Sequence, residues 1–269
     1  MAHRYWYCPT APDADERGYV DIDAHLRYVQ EVESRACACT YPILKGMVEE
    51  DDVYLRYRVS YLIAGCDRAL HIKSHRDYAI DPNNALARLR GNLFHAAVEK
   101  AADAGSIVET RWVRPVKVDG KWYLVTGKPD LFFVEGPQKG LIRDYKTVDR
   151  IYGELPKKDH VRQLKLYAWL GQEHGFDVTR GELVYVALRN DARPKFRRER
   201  VGIQPADTGW VEQRVRMLNH LYGDSPLPPI LDLEDQWLCD YCDVRNECEM
   251  LALMDGDEPP VGRPKRRAA

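Results

Sequence analysis

The sequence lacks both a strong net charge and any long apolar run. Its 40 basic and 42 acidic residues nearly cancel and leave a formal net charge of −2, so the composition indicates no polyelectrolyte partner for the chain as a whole. No apolar stretch approaches the length that spans a bilayer, and the first residues, MAHRYWYCPT, lack the basic-then-apolar pattern of a secretory signal. These absences predict a soluble cytoplasmic protein with no membrane partner.

Internal repeats and long low-complexity linkers are also absent, so the 269 residues predict one large domain or one domain with an appendage. Helical patterns alternate with strand patterns along the chain, which favours an α/β fold with a mixed central β-sheet flanked by helices. One helix is expected from Asn92 to Ala104 after Gly91, and another ends near Cys66. The remaining main elements are strands in IVETRWVRPVKV, KWYLVTG, DLFFV, GLIRDYKT and GELVYVALR, and helices in DHVRQLKLYAWLGQEHG, with Asp159 as its N-cap, and PADTGWVEQRVRMLNHLYG.

The stretch GLIRDYKT places opposite charges two residues apart in a strand that otherwise predicts burial. Side chains of a strand alternate between faces, so Asp144 and Lys146 share one face and Tyr145 points to the other. A rigid strand would thus hold a carboxylate beside an ammonium group. The same spacing is equally typical of a surface salt bridge, so the pair needs support from other residues.

That support comes from polar residues at helical and strand spacing elsewhere. Asp130 opens the apolar strand DLFFV, where it could share a divalent cation with Asp144 if the two strands are neighbours. His95 and Glu99 lie one helical turn apart, and so do Gln163 and Tyr167. A solvated or packed helix face explains either helical pair in isolation.

Taken together, four motifs occur in a characteristic order. They are G-x-x-x-H at 91–95, G-x-P-D at 127–130, D-x-K at 144–146 and Q-x-x-x-Y at 163–167. The sequence thereby resembles the RecB-like branch of the PD-(D/E)XK nucleases over about residues 60 to 250. The resemblance implies a PD-(D/E)XK core and the following roles: metal ligands His95, Asp130 and Asp144, catalytic lysine Lys146, and active-site helpers Gln163 and Tyr167. Glu99 stays open, because a solvated helix face explains it equally well.

This resemblance implies phosphodiester chemistry with Mg²⁺ or Mn²⁺. A cation at Asp130 and Asp144 would polarise the phosphate and lower the pKa of a bound water. Lys146 would orient that water or neutralise charge developing on the phosphorane. Its assignment as general base stays open, since the carboxylates favour its charged form and the metal opposes it.

The C-terminal region carries a cysteine cluster without a second C-x2-C pair. Cys239, Cys242 and Cys248 form C-x2-C-x5-C, and structural disulfides are not expected in the cytoplasm. A zinc site usually shows two C-x2-C pairs, so the pattern favours a four-thiolate iron–sulfur cluster. The spacing leaves the fourth ligand open among a histidine and four cysteines, which are Cys8, Cys37, Cys39 and Cys66.

The resemblance narrows that choice. RecB-like nucleases with an iron–sulfur cluster, including the CRISPR-associated exonuclease family and AddB-type nuclease domains, place one cysteine before the nuclease motifs and three after them. The segment VSYLIAGCDRALHIK is similar to the first-cysteine segment, which implies Cys66 as the fourth ligand of a 4Fe–4S cluster. Asp67 stands where that segment often has proline, so Cys37 and Cys39 remain rivals.

Two basic runs flank the Q-x-x-x-Y helix and could follow a phosphate backbone with little sequence preference. A solvated surface is the alternative explanation. The cationic residues of the runs are Lys157, Lys158, Arg162, Lys165, Arg189, Arg193, Lys195, Arg197, Arg198 and Arg200.

From these features we expect a metal-dependent DNA exonuclease that acts on single-stranded ends. The alternative is a nuclease-fold DNA-binding or processing subunit that cuts only with protein partners, in CRISPR adaptation or recombination. We expect a segment of unassigned role at 1–52, a nuclease domain at 53–254 and a basic mobile tail at 255–269. The cluster region is expected near 60–75 and 236–252, formed by the N- and C-terminal flanks.

Overall fold

The computed structural model describes residues 4–7, 14–31, 57–80, 82–101, 105–108 and 110–260. The chain divides into two compact units: the first comprises Met1–Glu50, Gly65–Leu89 and His220–Ala269, and the second comprises Asp51–Ala64 and Arg90–Asn219. No helix in the described ranges is long and apolar enough to cross a membrane.

The described residues form ten strands, seven α-helices and one 3₁₀ helix, at Gln236–Tyr241. The strands are β1 (Arg4–Tyr7), β2 (Tyr19–Asp21), β3 (Tyr78–Ile80), β4 (Ser106–Val108), β5 (Trp112–Val118), β6 (Lys121–Gly127), β7 (Leu131–Gly136), β8 (Lys139–Val148), β9 (Asp177–Ala187) and β10 (Phe196–Gly202). The α-helices are α1 (Ile22–Glu31), α2 (Val59–Leu62), α3 (Asp67–His75), α4 (Pro82–Lys100), α5 (Lys158–Glu173), α6 (Thr208–Tyr222) and α7 (Arg245–Asp255).

A five-stranded sheet forms the centre of the second unit, in the order β10-β9-β8-β7-β4. β8 and β9 are parallel and the other neighbouring pairs are antiparallel, so the sheet is mixed as predicted. Parallel neighbours need a long crossover, and α5 supplies it between β8 and β9. α5 contributes Leu164, Leu166, Ala168 and Leu170 to the core, each fully buried.

The predicted hairpin of β5 and β6 is also present in the second unit. Asp119 and Gly120, which join its strands, both have positive φ, 50° and 81°. Such a pair is the usual two-residue turn between antiparallel strands, because its twist matches theirs. The register places Trp112 opposite Gly127, so the residues just outside these two meet at the open end of the hairpin.

The first unit contains a small sheet in the order β2-β1-β3. Its core includes Trp6, Ile72, Ile80, Val244 and Leu251, from two strands, α3, α7 and the residue before α7. The Tyr19 hydroxyl donates a hydrogen bond of 2.5 Å to Glu247 Oε2 inside this core.

Several element boundaries differ from those predicted. α4 begins at Pro82, so Gly91 lies within it and not before it. α2 ends at Leu62, near Cys66 as expected, and Cys66 is the N-cap of the next helix, α3. Lys157 is the N-cap of α5, and Asp159 lies in the first turn, where the helix dipole favours a negative charge. The basic run from 189 to 200 contains most of a strand, β10, that the sequence did not predict.

Candidate active site and cysteine cluster

The central strand β8 carries an acidic and a basic side chain on one face. Gly140, Ile142 and Asp144 are the buried residues of β8, and Asp144 is only 1% exposed. Lys146 Nζ lies 2.7 Å from Asp144 Oδ2, so the two side chains share a face as the spacing predicts. Burial raises the pKa of the Asp144 carboxyl above its ordinary value, and the Lys146 ammonium opposes that rise.

Asp130 reaches the same edge of the sheet from the segment between β6 and β7. It precedes Leu131, which pairs with Arg143, the residue before Asp144. The Tyr145 amide donates a hydrogen bond of 2.7 Å to Asp130 Oδ2, where β7 has not yet begun. A side-chain oxygen thus occupies the place of a strand carbonyl and fixes Asp130 beside β8.

His95 approaches Asp130 from α4. Its Nδ1 lies 3.2 Å from Asp130 Oδ1, and contact with that carboxylate raises the pKa of the imidazole against the opposing effect of burial. Asp144 adds a further attraction. The structure therefore brings His95, Asp130 and Asp144 into one electrostatic cluster. Glu99, one turn along α4, is exposed.

The Q-x-x-x-Y motif on α5 is connected to the same cluster by hydrogen bonds. Lys146 Nζ donates to Gln163 Oε1 at 2.7 Å, and Gln163 Nε2 donates to the Tyr167 hydroxyl oxygen at 2.9 Å. Gln163 therefore restricts the position of the Lys146 ammonium, and Tyr167 restricts that of Gln163. All the residues expected at the nuclease site are in one place in the second unit.

Sequence reasoning missed two neighbours of this cluster. Tyr185 on β9 pairs with Lys146, and its hydroxyl lies 3.0 Å from His160 Nδ1. The Lys157 amide donates to the same hydroxyl oxygen at 3.1 Å. Burial and then the nearby Lys146 charge lower the pKa of His160 to about 3, so its ring is neutral at ordinary pH. His160 lies three residues before Gln163, a helical spacing that could have indicated it.

In the basic run from 189 to 200, the arginines on β10 lie near carboxylates. Arg198 and Arg200 lie 3.9 and 3.6 Å from the buried Glu182, which also binds Arg143. Arg197 pairs with Glu199 on the same strand. Carboxylates thus neutralise part of this run, which leaves less charge for a phosphate backbone than the sequence suggests.

The remaining cations of the two runs are mostly at the surface. Arg189 pairs with Asp191, and Arg162 pairs with Asp159. Lys195 donates to the Arg189 and Asn190 carbonyls, and Arg193 donates to the Asn190 and Ala192 carbonyls. Lys157, Lys158 and Lys165 are exposed around α5.

Residues 101–249 match the family profile described as the PD-(D/E)XK nuclease superfamily, and they make up more than half of the chain. The chain belongs to this superfamily. The matched range contains Asp130, Asp144, Lys146, Gln163 and Tyr167, whereas His95 lies before it.

The chain is also similar to individual proteins. A protein of Saccharolobus solfataricus named CRISPR-associated exonuclease Cas4 is 27% identical over 146 residues, which are 53% of this chain and 67% of that protein. The fold is shared with a solved structure described as "Crystal structure of SSO0001", with a TM-score of 0.52, 19% identity and coverage of 74% of this chain and 90% of that one. An alkaline exonuclease from Laribacter hongkongensis matches with a TM-score of 0.32 and 12% identity, over 62% of this chain and 84% of that one.

Membership of this superfamily implies a divalent cation at the acidic cluster. In the ranges that the structure describes, no three His, Cys, Asp or Glu side chains form a group that holds a metal ion as they stand. Two buried atoms of the cluster, His95 Nδ1 and Asp144 Oδ2, nevertheless lack a correctly oriented hydrogen bond. Carboxylate oxygens with one imidazole nitrogen suit Mn²⁺, and carboxylates with water suit Mg²⁺. The donors fit such a cation, which would compete with Lys146 for Asp144.

The four cysteines expected as cluster ligands belong to the first unit. Cys66 caps α3, Cys239 lies within the 3₁₀ helix, Cys242 is the C-cap of that helix, and Cys248 lies in α7. All four are free thiols. Cys66 lies near enough to the other three to interact with each of them electrostatically. Its rivals Cys37 and Cys39, and also Cys8, lie outside the described residues.

Two N–H groups donate to these thiols. The Ala69 amide donates to Cys66 Sγ at 3.4 Å, and Arg68 Nε donates to Cys248 Sγ at 3.3 Å. Burial raises the pKa of Cys242 to about 12, so its thiol is neutral unless a cation binds it. As a donor set, four cysteines have the chemistry of a four-thiolate iron–sulfur site.

Proposed function

We propose that the chain is a divalent-metal-dependent DNA exonuclease that hydrolyses phosphodiester bonds at single-stranded ends. One observation carries this proposal: Asp144, Lys146, Gln163 and Tyr167 form a continuous chain of contacts beside Asp130, in a member of a nuclease superfamily. The similarity to a protein named CRISPR-associated exonuclease Cas4 supports exonuclease action.

The residues of the cluster have distinct roles in this proposal. His95, Asp130 and Asp144 would hold Mg²⁺ or Mn²⁺, which supplies charge neutralisation at the phosphate and lowers the pKa of a bound water. Lys146 orients the attacking water or neutralises charge that develops on the phosphorane. Gln163 and Tyr167 keep the Lys146 ammonium in place before DNA arrives, so little reorganisation is needed when it does.

In the first unit, Cys66, Cys239, Cys242 and Cys248 would hold a 4Fe–4S cluster with a structural role. Such a cluster would tie the start of α3 to the segment from the 3₁₀ helix to α7. The two segments are far apart in sequence, so their linkage would remove much of the freedom of the unfolded chain. Arg68 would compensate part of the negative charge of the thiolates.

The nuclease assignment is tested with end-labelled single- and double-stranded DNA and Mg²⁺ or Mn²⁺. Lys146→Ala and Asp144→Asn should each lower cleavage to background while circular dichroism shows an intact fold, and EDTA should stop the wild type. Lys139→Ala is the matched control, since Lys139 lies on the same strand but is exposed. Near-normal cleavage by a folded Lys146→Ala protein would refute the role given to Lys146.

A second function is favoured by the name of the S. solfataricus protein. The chain would then be a DNA-processing subunit that cuts only within a CRISPR-adaptation or recombination assembly. In that case the purified wild type should bind DNA and leave it intact. Cleavage by the purified protein alone would exclude this second function.

A further inference from the structure

A cationic cavity lies in the second unit, beside the residues already described. Its volume is about 190 Å³, compared with about 30 Å³ for the share of one water molecule in the liquid. The lining residues that the structure describes are Arg58, Val59, Ser60, Arg111, Thr126, Gly127, Lys128 and Tyr167. Three of these eight side chains are cationic, two carry aliphatic hydroxyls, and none is acidic.

The backbone explains why cations distant in sequence meet there. Trp112 pairs with Gly127, so Arg111 and Lys128 flank the open end of the β5–β6 hairpin. Arg58 joins them because it forms an isolated parallel bridge with Thr126. The cations therefore come from three separate backbone segments held in register.

Gly127 forms the close-packed wall of this cavity. A Cβ atom at this position would lie 2.6 Å from Leu170 Cδ1, 2.8 Å from Val59 Cγ2 and 2.9 Å from Tyr167 Cε1. Only a residue without a side chain lets α2 and α5 approach β6 this closely. The approach brings the Tyr167 ring to the cavity.

The chemistry of the lining is that of a phosphate site. Arg58 Nη2 donates to the Tyr61 hydroxyl oxygen at 2.8 Å, and its guanidinium lies 4.5 Å from the centre of the Tyr61 ring, which fixes its direction. Guanidinium, ammonium and hydroxyl donors together suit the oxygens of a phosphate group. No carboxylate is among the eight lining residues that the structure describes.

The cavity is also connected to the proposed catalytic residues. Tyr167 lines it and accepts the hydrogen bond from Gln163, which in turn accepts from Lys146. Lys128 lies two residues before Asp130. We propose that this cavity binds a phosphate group of the DNA strand near the scissile one, and so fixes the strand relative to Lys146. This subsite rests on the proposed nuclease function.

The test compares DNA binding by Arg111→Gln, Lys128→Gln and the control Lys121→Gln in the full chain. Lys121 is an exposed cation at the opposite end of the same hairpin. Binding is measured by fluorescence anisotropy in EDTA, which prevents cleavage, with short single strands carrying a 5′-phosphate, a 3′-phosphate or neither. Thermal unfolding of each variant checks the fold.

Arg111→Gln and Lys128→Gln should each weaken binding about three- to tenfold and lower the slope of log K against log salt by about 0.7. Lys121→Gln should keep the wild-type affinity, and Lys128→Arg should restore most of the loss. A loss confined to strands with a terminal phosphate identifies an end-binding subsite. A loss on all three strands identifies an internal phosphodiester.

Equal affinity of all three glutamine variants for every strand would overturn the proposal, and so would a wild type that binds none of the strands. The same experiment can contradict the nuclease assignment separately from the phosphate site. If the wild type does not cut in Mn²⁺ while the two cavity variants still lose affinity, the phosphate site stands and the catalytic function falls. If the wild type cuts and the two cavity variants bind and cut like Lys121→Gln, the catalytic function stands and the phosphate site falls.

Discussion

Gly127→Ala is the substitution whose effect the structure defines most sharply. The added methyl group would lie under 3.0 Å from side-chain atoms of Val59, Tyr167 and Leu170. These atoms belong to α2 and α5, so a shift that relieves one contact tightens another. Overpacking of this kind costs about 1–3 kcal/mol of unfolding free energy. For domains of about 150–250 residues this corresponds to a Tm lower by about 2–4 °C per kcal/mol.

The matched control is Gly202→Ala on β10. A Cβ atom at Gly202 meets nothing within 4 Å, and neither Gly127 nor Gly202 is among the described residues with positive φ. Alanine in such an open strand position should be neutral or stabilising by about 0.5–1 kcal/mol. Thermal unfolding followed by circular dichroism compares the two variants under identical conditions.

Gly127→Ala should also slow DNA cleavage at temperatures where the variant is fully folded. Displacement of the Tyr167 ring moves its hydroxyl, which holds Gln163, and thereby loosens Lys146. If Gly127→Ala unfolds within about 1 °C of Gly202→Ala, the packing argument is wrong. If its Tm falls but the folded variant cuts at the wild-type rate, the link between Tyr167 and Lys146 has no catalytic importance.

The remaining predictions concern other regions. Cys66→Ser should remove the visible absorbance of anaerobically purified protein as fully as Cys239→Ser, since a 4Fe–4S cluster needs four thiolates; a colourless folded wild type containing zinc would contradict iron. Arg193→Glu with Arg197→Glu should weaken DNA binding and flatten its salt dependence, and unchanged affinity would show a merely solvated surface. The His160 ring should show no NMR titration between about pH 5 and 8, because its pKa is about 3. That pKa lies below the unfolded value of about 6.5, so the free energy of unfolding should fall as pH drops from about 6.5 towards 3. The urea midpoint of His160→Gln should fall less over this pH range than that of the wild type.

The part of the site with local periodicity could be predicted from sequence. Strand alternation placed Asp144 and Lys146 on one face, and the helical spacing placed Gln163 and Tyr167 one turn apart. Their contacts depend only on one strand and the helix that follows it. The hydrogen bonds of Tyr185 could not be predicted, because they depend on how α5 packs against β9.

The misjudged elements have a different physical cause. β10 is an edge strand whose residues are mostly exposed, so it carries no alternating apolar signal and resembles a solvated basic run. Gly91 suggested a helix boundary, yet it lies within α4, where a Cβ would meet only Thr147 Oγ1 at 3.6 Å. The sheet of the first unit pairs strands of three or four residues from distant parts of the chain. Such short strands are below the length at which periodicity can be detected.

The crossover from β8 through α5 to β9 has a consequence for how the site could pass between proteins in evolution. Lys146 and Gln163 are only 17 residues apart and lie in one supersecondary segment with Asp144 and Tyr167. Recombination that transferred this segment to another chain would carry the charged pair and the groups that orient it as one block. Asp130 and His95 come from other elements, so the recipient would have to supply them before the block could act on a phosphodiester.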